Sequence, residues 1–114
     1  MEAILANYNK TPKEIKIALI GSSEFKNMFE YINRLFSLQG KIIYTLSIYE
    51  FSDGVELTNS EKMILHNTQK IKILNSDCVF VIDVDKQITE DVMCNIIFAE
   101  LLHKPIYYLS EYLK

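Results

Sequence analysis

Glycine and proline are scarce in this 114-residue chain, three and two respectively, while hydrophobic residues make up 49% and charged residues 24%. That balance argues against disordered or low-complexity segments and for one globular domain over 1–114. A chain of this length buries roughly 65% of its unfolded surface, enough for a core without staples. Cysteine is nearly absent: Cys78 and Cys94 sit in apolar runs and form no C-x-x-C pair, so buried free thiols are expected rather than a disulfide framework. The two histidines, His66 and His103, have no metal-ligand spacing, which argues against a structural metal and leaves them surface or capping roles. No basic block exists; the densest cationic stretch is Lys70, Lys72 and nearby His66, and the net charge is −3. DNA and RNA are therefore not expected as partners. No apolar run approaches the ~20 residues that cross a bilayer. Met1-Glu2-Ala3-Ile4-Leu5-Ala6-Asn7 lacks the basic start and long apolar centre of a signal peptide, so a cytoplasmic protein with no membrane partner is expected.

What is present alternates in period. Ile15-Lys16-Ile17-Ala18-Leu19-Ile20 is a short apolar strand stopped by Gly21. Phe25, Met28, Phe29, Ile32, Leu35 and Phe36 then recur at three and four, predicting a helix over 24–39 that Gly40 ends. A second strand covers 41–46, followed by a loop at Ser52-Asp53-Gly54. Thr58 and Glu61 have capping-box spacing and open a helix expected to carry Ile64, Leu65, Thr68, Ile71 and Leu74 inward. A third strand at 78–82, a helix over 89–103 and a strand at 105–109 complete the series, with Pro105 at the first position of the last strand. Residues 1–14 suggest a short helix or an edge strand. Strands alternating with helices predict a Rossmann-like α/β fold, an open parallel sheet in the order 2-1-3-4 with helices on both faces. Ligands in such sheets bind beyond the carboxyl ends of the strands, here between the loops after the first and third.

Two constellations lie on that edge. Gly21-Ser22-Ser23 follows the first strand: glycine permits a tight turn, the hydroxyls can donate, and the helix start supplies free N–H groups. An anionic or hydroxyl-rich ligand suits it, and so does simple capping by a serine. Asp83 and Asp85 follow the third strand and either bind ligand hydroxyls or form a solvated turn. Neither G-x-G-x-x-G nor G-x-x-x-x-G-K-[ST] occurs, and no cofactor is expected.

A broader pattern spans residues 15–109. Lys16-Ile17-Ala18-Leu19-Ile20-Gly21-Ser22-Ser23-Glu24-Phe25, Leu38-Gln39-Gly40-Lys41, Ser52-Asp53-Gly54 with Glu56-Leu57-Thr58, Asn75-Ser76-Asp77-Cys78-Val79-Phe80, and Ile96-Ile97-Phe98-Ala99 with His103-Lys104-Pro105-Ile106 follow in order. Together they resemble the nucleoside 2-deoxyribosyltransferase-like proteins, especially small bacterial and phage members. The resemblance implies a nucleoside or nucleotide at the strand ends, and assembly as dimers or larger. It also implies a glutamate on the helix after the third strand as nucleophile on the anomeric carbon, with strand-end aspartates assisting. Gly21 and Ser22 match the family's first loop and Asp83 its strand-end aspartate. The nucleophile's position falls on Asn95, a neutral amide, and the usual glycine-and-serine stretch before it reads Asp85-Lys86-Gln87-Ile88-Thr89-Glu90-Asp91.

The expectation is a nucleoside- or nucleotide-binding pseudoenzyme. An active N-glycoside hydrolase or transferase is the alternative, because Asp91 lies one turn before Asn95 on the same face and Glu90 is beside it. A protein-interaction module that lost its pocket is the third. In the last helix Val92, Ile96 and Ala99 share one face, Met93 and Ile97 a second, and Cys94, Phe98, Leu101 and Leu102 a third. Only one face can meet the sheet, so the rest needs another cover, either the N-terminal segment of the same chain or, as the favoured expectation, a second subunit in a homodimer or larger homo-oligomer.

Overall fold

A computed structural model describes residues 12–46 and 56–112. The expectations for residues 1–11, the loop at Ser52-Asp53-Gly54 and the last two residues lie outside the described residues. Four strands form one parallel sheet: β1 (Lys16–Gly21), β2 (Ile42–Thr45), β3 (Cys78–Ile82) and β4 (Ile106–Tyr108), in the order β2-β1-β3-β4. The register sets Leu19 opposite Thr45 on one side and Phe80 on the other, and Val81 opposite Tyr108.

Helices cover both faces, and the alternation of side chains along β1 and β3 builds a core on each. Ile17 and Leu19 with Cys78, Phe80 and Ile82 point to one face. There they meet Phe29, Ile32 and Phe36 of α1 (Lys26–Leu38) and Leu109 and Tyr112 of the C-terminal turn. Phe36 meets Phe80 edge-on with centroids 5.2 Å apart. Ala18 and Ile20 with Val79 and Val81 point to the other face. They meet Ile73 of α2 (Asn59–Asn75) and Val92, Ile96 and Ala99 of α3 (Glu90–Leu101).

Local chemistry sets the boundaries. The stretch expected to begin α1 at Glu24 opens instead as a 3-10 turn over Ser23–Phe25, with Ser22 accepting from the Glu24 N–H. Gly40 at φ +86° ends α1, its N–H donating to Ser37 and that of Lys41 to Phe36. The capping box at α2 is complete in both directions: the Glu61 N–H donates to Thr58 Oγ1 and the Thr58 N–H to Glu61 Oε1. Thr89 accepts from the Val92 N–H to start α3, and His103 at φ +58° ends it.

The face of α2 is a correction. Ile64, Ile71 and Leu74 were expected inward, yet they are 62%, 56% and 49% exposed, and Thr68 is exposed too. Only Ile73 is fully buried, with Leu65 half-buried. Polar staples turn the helix this way: Lys72 Nζ donates to the Thr45 carbonyl and Gln69 Nε2 to that of Leu46, both at the end of β2. Lys104 holds its last turn through the carbonyls of Leu74 and Ser76. A second correction concerns the thiols: Cys78 is buried as expected, but Cys94 is exposed on α3. Among the described residues no helix is long and apolar enough to cross a membrane.

Candidate functional site

A cleft of about 500 Å³ opens at the carboxyl ends of β1 and β2, between α2 and α3. Gly21 and Ser22 form its floor with Leu46. Glycine is needed at position 21 by close approach: a Cβ there would lie 2.9 Å from the Ile82 carbonyl oxygen and 3.0 Å from the Phe29 ring. Ser22 lines the cleft and also caps the 3-10 turn. The site was expected between the loops after the first and third strands; the cleft has the first of these loops but lies at the ends of β1 and β2 instead.

One wall comes from α2. Lys62, Leu65, His66 and Gln69 recur at three and four, which places them on one helical face. None of these was expected at the site, and His66 was assigned a surface or capping role. Their signal was available: the capping box fixes where α2 begins, and these polar positions form a single stripe from there. The opposite wall comes from the start of α3, with Asp91, Val92 and Asn95. Asp91 is exposed at the rim, while Asn95 is 8% exposed. Leu57 and Leu65 with Leu46 and Val92 supply apolar surface between the polar walls.

The deepest polar contact joins the two helices. Asn95 Nδ2 donates to Gln69 Oε1 at 3.1 Å, and Gln69 Nε2 donates to the Leu46 carbonyl at 3.1 Å. A carbonyl only accepts, so it fixes the sense of the Gln69 amide, which in turn fixes that of Asn95. Asn95 Oδ1 is left without a protein partner among the described residues. No buried side-chain nitrogen or oxygen there lacks one, so this oxygen is not sealed from solvent, and Asn95 is a residue of the cleft lining.

The other expected residues lie elsewhere. Asp83 is 3% exposed and its carboxylate is fully engaged by the C-terminal turn: Oδ1 accepts from the Ser110 N–H at 2.8 Å and Oδ2 from the Ser110 hydroxyl at 2.7 Å. The turn over Val84–Lys86 that follows packs Val84 against the α1 face, away from the cleft. Asp85 is exposed there at φ +54°, a left-handed conformation that Asp tolerates better than most residues. Glu90 is exposed on the first turn of α3 and does not line the cleft. Of Ser23 only the backbone is described, within the 3-10 turn.

A second group of titratable side chains gathers at the opposite end of the sheet. The Tyr107 hydroxyl donates to the Glu14 carboxylate, 3.3 and 3.4 Å from its two oxygens, and Lys41 reaches the Pro12 carbonyl while lying 5.1 Å above the Phe36 ring. Burial pushes the Cys78 thiol up to about 12, with Glu14 adding to the effect. Burial also raises Tyr112 to about 12 and lowers Lys41. These groups tie the chain entering β1 to the sheet, remote from the cleft. Among the described residues no cluster of three or more His, Cys, Asp or Glu side chains could hold a metal ion.

Compared with protein-family models, with curated proteins and with solved structures, the chain matches none.

Proposed function

We propose that this protein binds a nucleoside- or nucleotide-type small molecule in the cleft between α2 and α3, acting in the cytoplasm without covalent chemistry on it. The observation that carries the proposal is Asn95 itself. The position that the family resemblance gives to the nucleophile lies in an open cleft, but as an amide already bonded to Gln69. An amide is a poor nucleophile, and this one is held in place as a binding group. The cleft volume falls within the range of roughly 300–1,000 Å³ that accommodates small ligands. Its apolar leucines suit a base, and its polar walls suit a sugar or phosphate. An open cleft also favours binding over an interaction module that lost its pocket.

A thermal-shift screen against nucleosides and their monophosphates tests this. A ligand at a hundredfold excess over Kd stabilises by ~2.7 kcal/mol, which shifts the midpoint measurably. No shift with any member at millimolar concentration overturns the proposal.

Asp91 supports a second reading. It lines the cleft one turn before Asn95, so a carboxylate is available at the rim for hydrolase or transferase chemistry. Robust release of free base from deoxynucleosides by the unmutated protein, abolished by Asp91→Asn, would replace the binding proposal with an enzyme.

Assembly belongs to the same proposal. Met93, Ile97 and Leu101 on α3 are 42%, 48% and 73% exposed, and α2 exposes Met63, Ile64 and Ile71. A second copy covering such a surface makes a homodimer. Sedimentation showing a monomer at micromolar concentration would refute it.

A further inference from the structure

We infer that Asn95 and Asp91 together read a vicinal diol on the ligand, so that the cleft prefers a ribose to a sugar lacking those hydroxyls. The inference rests on the binding proposal and narrows it to a ligand chemistry.

The direction of the Asn95 amide is dictated from outside the cleft. The Leu46 carbonyl requires the amino group of Gln69, and Gln69 then offers Oε1 to Asn95 Nδ2. Exchanging Asn95 Oδ1 with Nδ2 would set two amide oxygens against each other at the present 3.1 Å separation. The cleft therefore meets the ligand with an acceptor at this point, and the group opposite must be a donor. Asp91, four residues earlier on the same helix, is a second acceptor on the cleft wall. Residues at this spacing have Cβ atoms about 5–6 Å apart. Adjacent hydroxyls, each donating over ~2.7 Å, bridge such a gap.

Charge orders the rest of the cleft. The Asp91 carboxylate disfavours an anion beside α3, whereas the Lys62 ammonium stands on the opposing helix. A hydroxyl-bearing sugar against α3 leaves the apolar residues Leu46, Leu57 and Leu65 for a base, and the α2 rim for a phosphate. The acceptor pair has no use for an ether oxygen or a bare methylene, so removing hydroxyls from the sugar removes recognition rather than shape.

The test compares matched probes on the unmutated protein by isothermal titration: adenosine, guanosine, cytidine and uridine, and their 5′-monophosphates, each against its 2′,3′-dideoxy counterpart. The expected result is at least tenfold tighter binding of the hydroxyl-bearing member for every base that binds. In Asp91→Asn, a surface change that leaves the fold intact, the preference shrinks but survives; in Asn95→Leu it disappears. Equal binding of the ribose and dideoxy forms, or tighter binding of the latter, overturns the diol inference and leaves the binding proposal standing. Failure of all members to bind overturns both.

Discussion

Asn95→Asp is the substitution whose cost the structure defines best. It changes one NH₂ to an oxygen with almost no change in volume, at a side chain 8% exposed. That new oxygen would face Gln69 Oε1 at the present 3.1 Å, where a donor now sits. Turning the Gln69 amide over does not help, because its oxygen then opposes the Leu46 carbonyl. Either arrangement loses a hydrogen bond worth ~1 kcal/mol and leaves acceptors opposed in a part-buried spot at a further ~1–2 kcal/mol. The expected loss is about 2–3 kcal/mol at neutral pH, or roughly 10 °C in midpoint for a domain of this size. Protonation repairs it, since a carboxylic acid can donate its O–H to Gln69 Oε1. The introduced carboxyl thus has a folded-state pKa above its unfolded value of about 3.9, and the native state holds the proton longer. Its deficit relative to the parent is small near pH 4, grows as the pH rises through the folded-state pKa, and then levels. Thermal denaturation of the two proteins between pH 4 and 8 measures this, with Asn95→Leu as a variant whose deficit does not depend on pH. A variant as stable as the parent at pH 8, or a deficit indifferent to acid, would refute the relay from Leu46 through Gln69 to Asn95.

Other outcomes follow from single contacts. Gly21→Ala is expected to cost ~1–3 kcal/mol in urea unfolding, because its Cβ would press on the Ile82 carbonyl and the Phe29 ring; an unchanged midpoint contradicts the close approach. Asp83→Ala removes both bonds to Ser110 and should cost ~2–4 kcal/mol, and a stability loss within error of zero would show that the carboxylate does not hold the C-terminal turn. A thiol reagent should modify Cys94 in the native protein and Cys78 only after unfolding, so equal native rates would contradict their placement. Cys78, raised from 9.0 to about 12, stays protonated in the folded state while the unfolded thiol ionises, so stability falls as the pH rises from about 9 towards 12. Cys78→Ala should flatten that slope in a denaturation series, though Tyr112 keeps part of it; an identical slope would exclude the thiol as a source.

Much of the fold was legible because the signals were local. Cys78-Val79-Phe80-Val81-Ile82 reads as a strand covered on both faces, and all five residues are buried. The Thr58–Glu61 capping box fixes the start of α2, and the alternation of periods yields the order 2-1-3-4. What escaped was decided at long range. On α2 two stripes compete at helical spacing, and the apolar one was the natural choice for the core. The face that packs instead combines Ile73 and Leu65 with Gln69 and Lys72, which donate to the strand-end carbonyls of Leu46 and Thr45 more than twenty residues away. Asp83 had the position of a ligand-binding carboxylate, but Ser110, 27 residues later, claims both of its oxygens, and nothing near Asp83 announces that. Of the cleft lining, the first loop, Asp91 and Asn95 stood out in the sequence, whereas Lys62, His66 and Gln69 lie on α2, whose inward face depends on contacts distant in sequence.

The way α2 is attached has a mechanical consequence. One wall of the cleft is attached to the domain largely by hydrogen bonds from Gln69, Lys72 and Lys104, with Ile73 its only fully buried side chain. Such attachments add about 1 kcal/mol each and are open to competition from water, so α2 should exchange its amide protons sooner than β1 or β3. A second copy seated on Met63, Ile64, Ile71 and Leu74, as in the proposed homodimer, would press the same wall from behind and restrain it. Coupling of this kind runs both ways: a ligand that fastens α2 from inside the cleft would strengthen association at its outer face, and association would tighten the cleft.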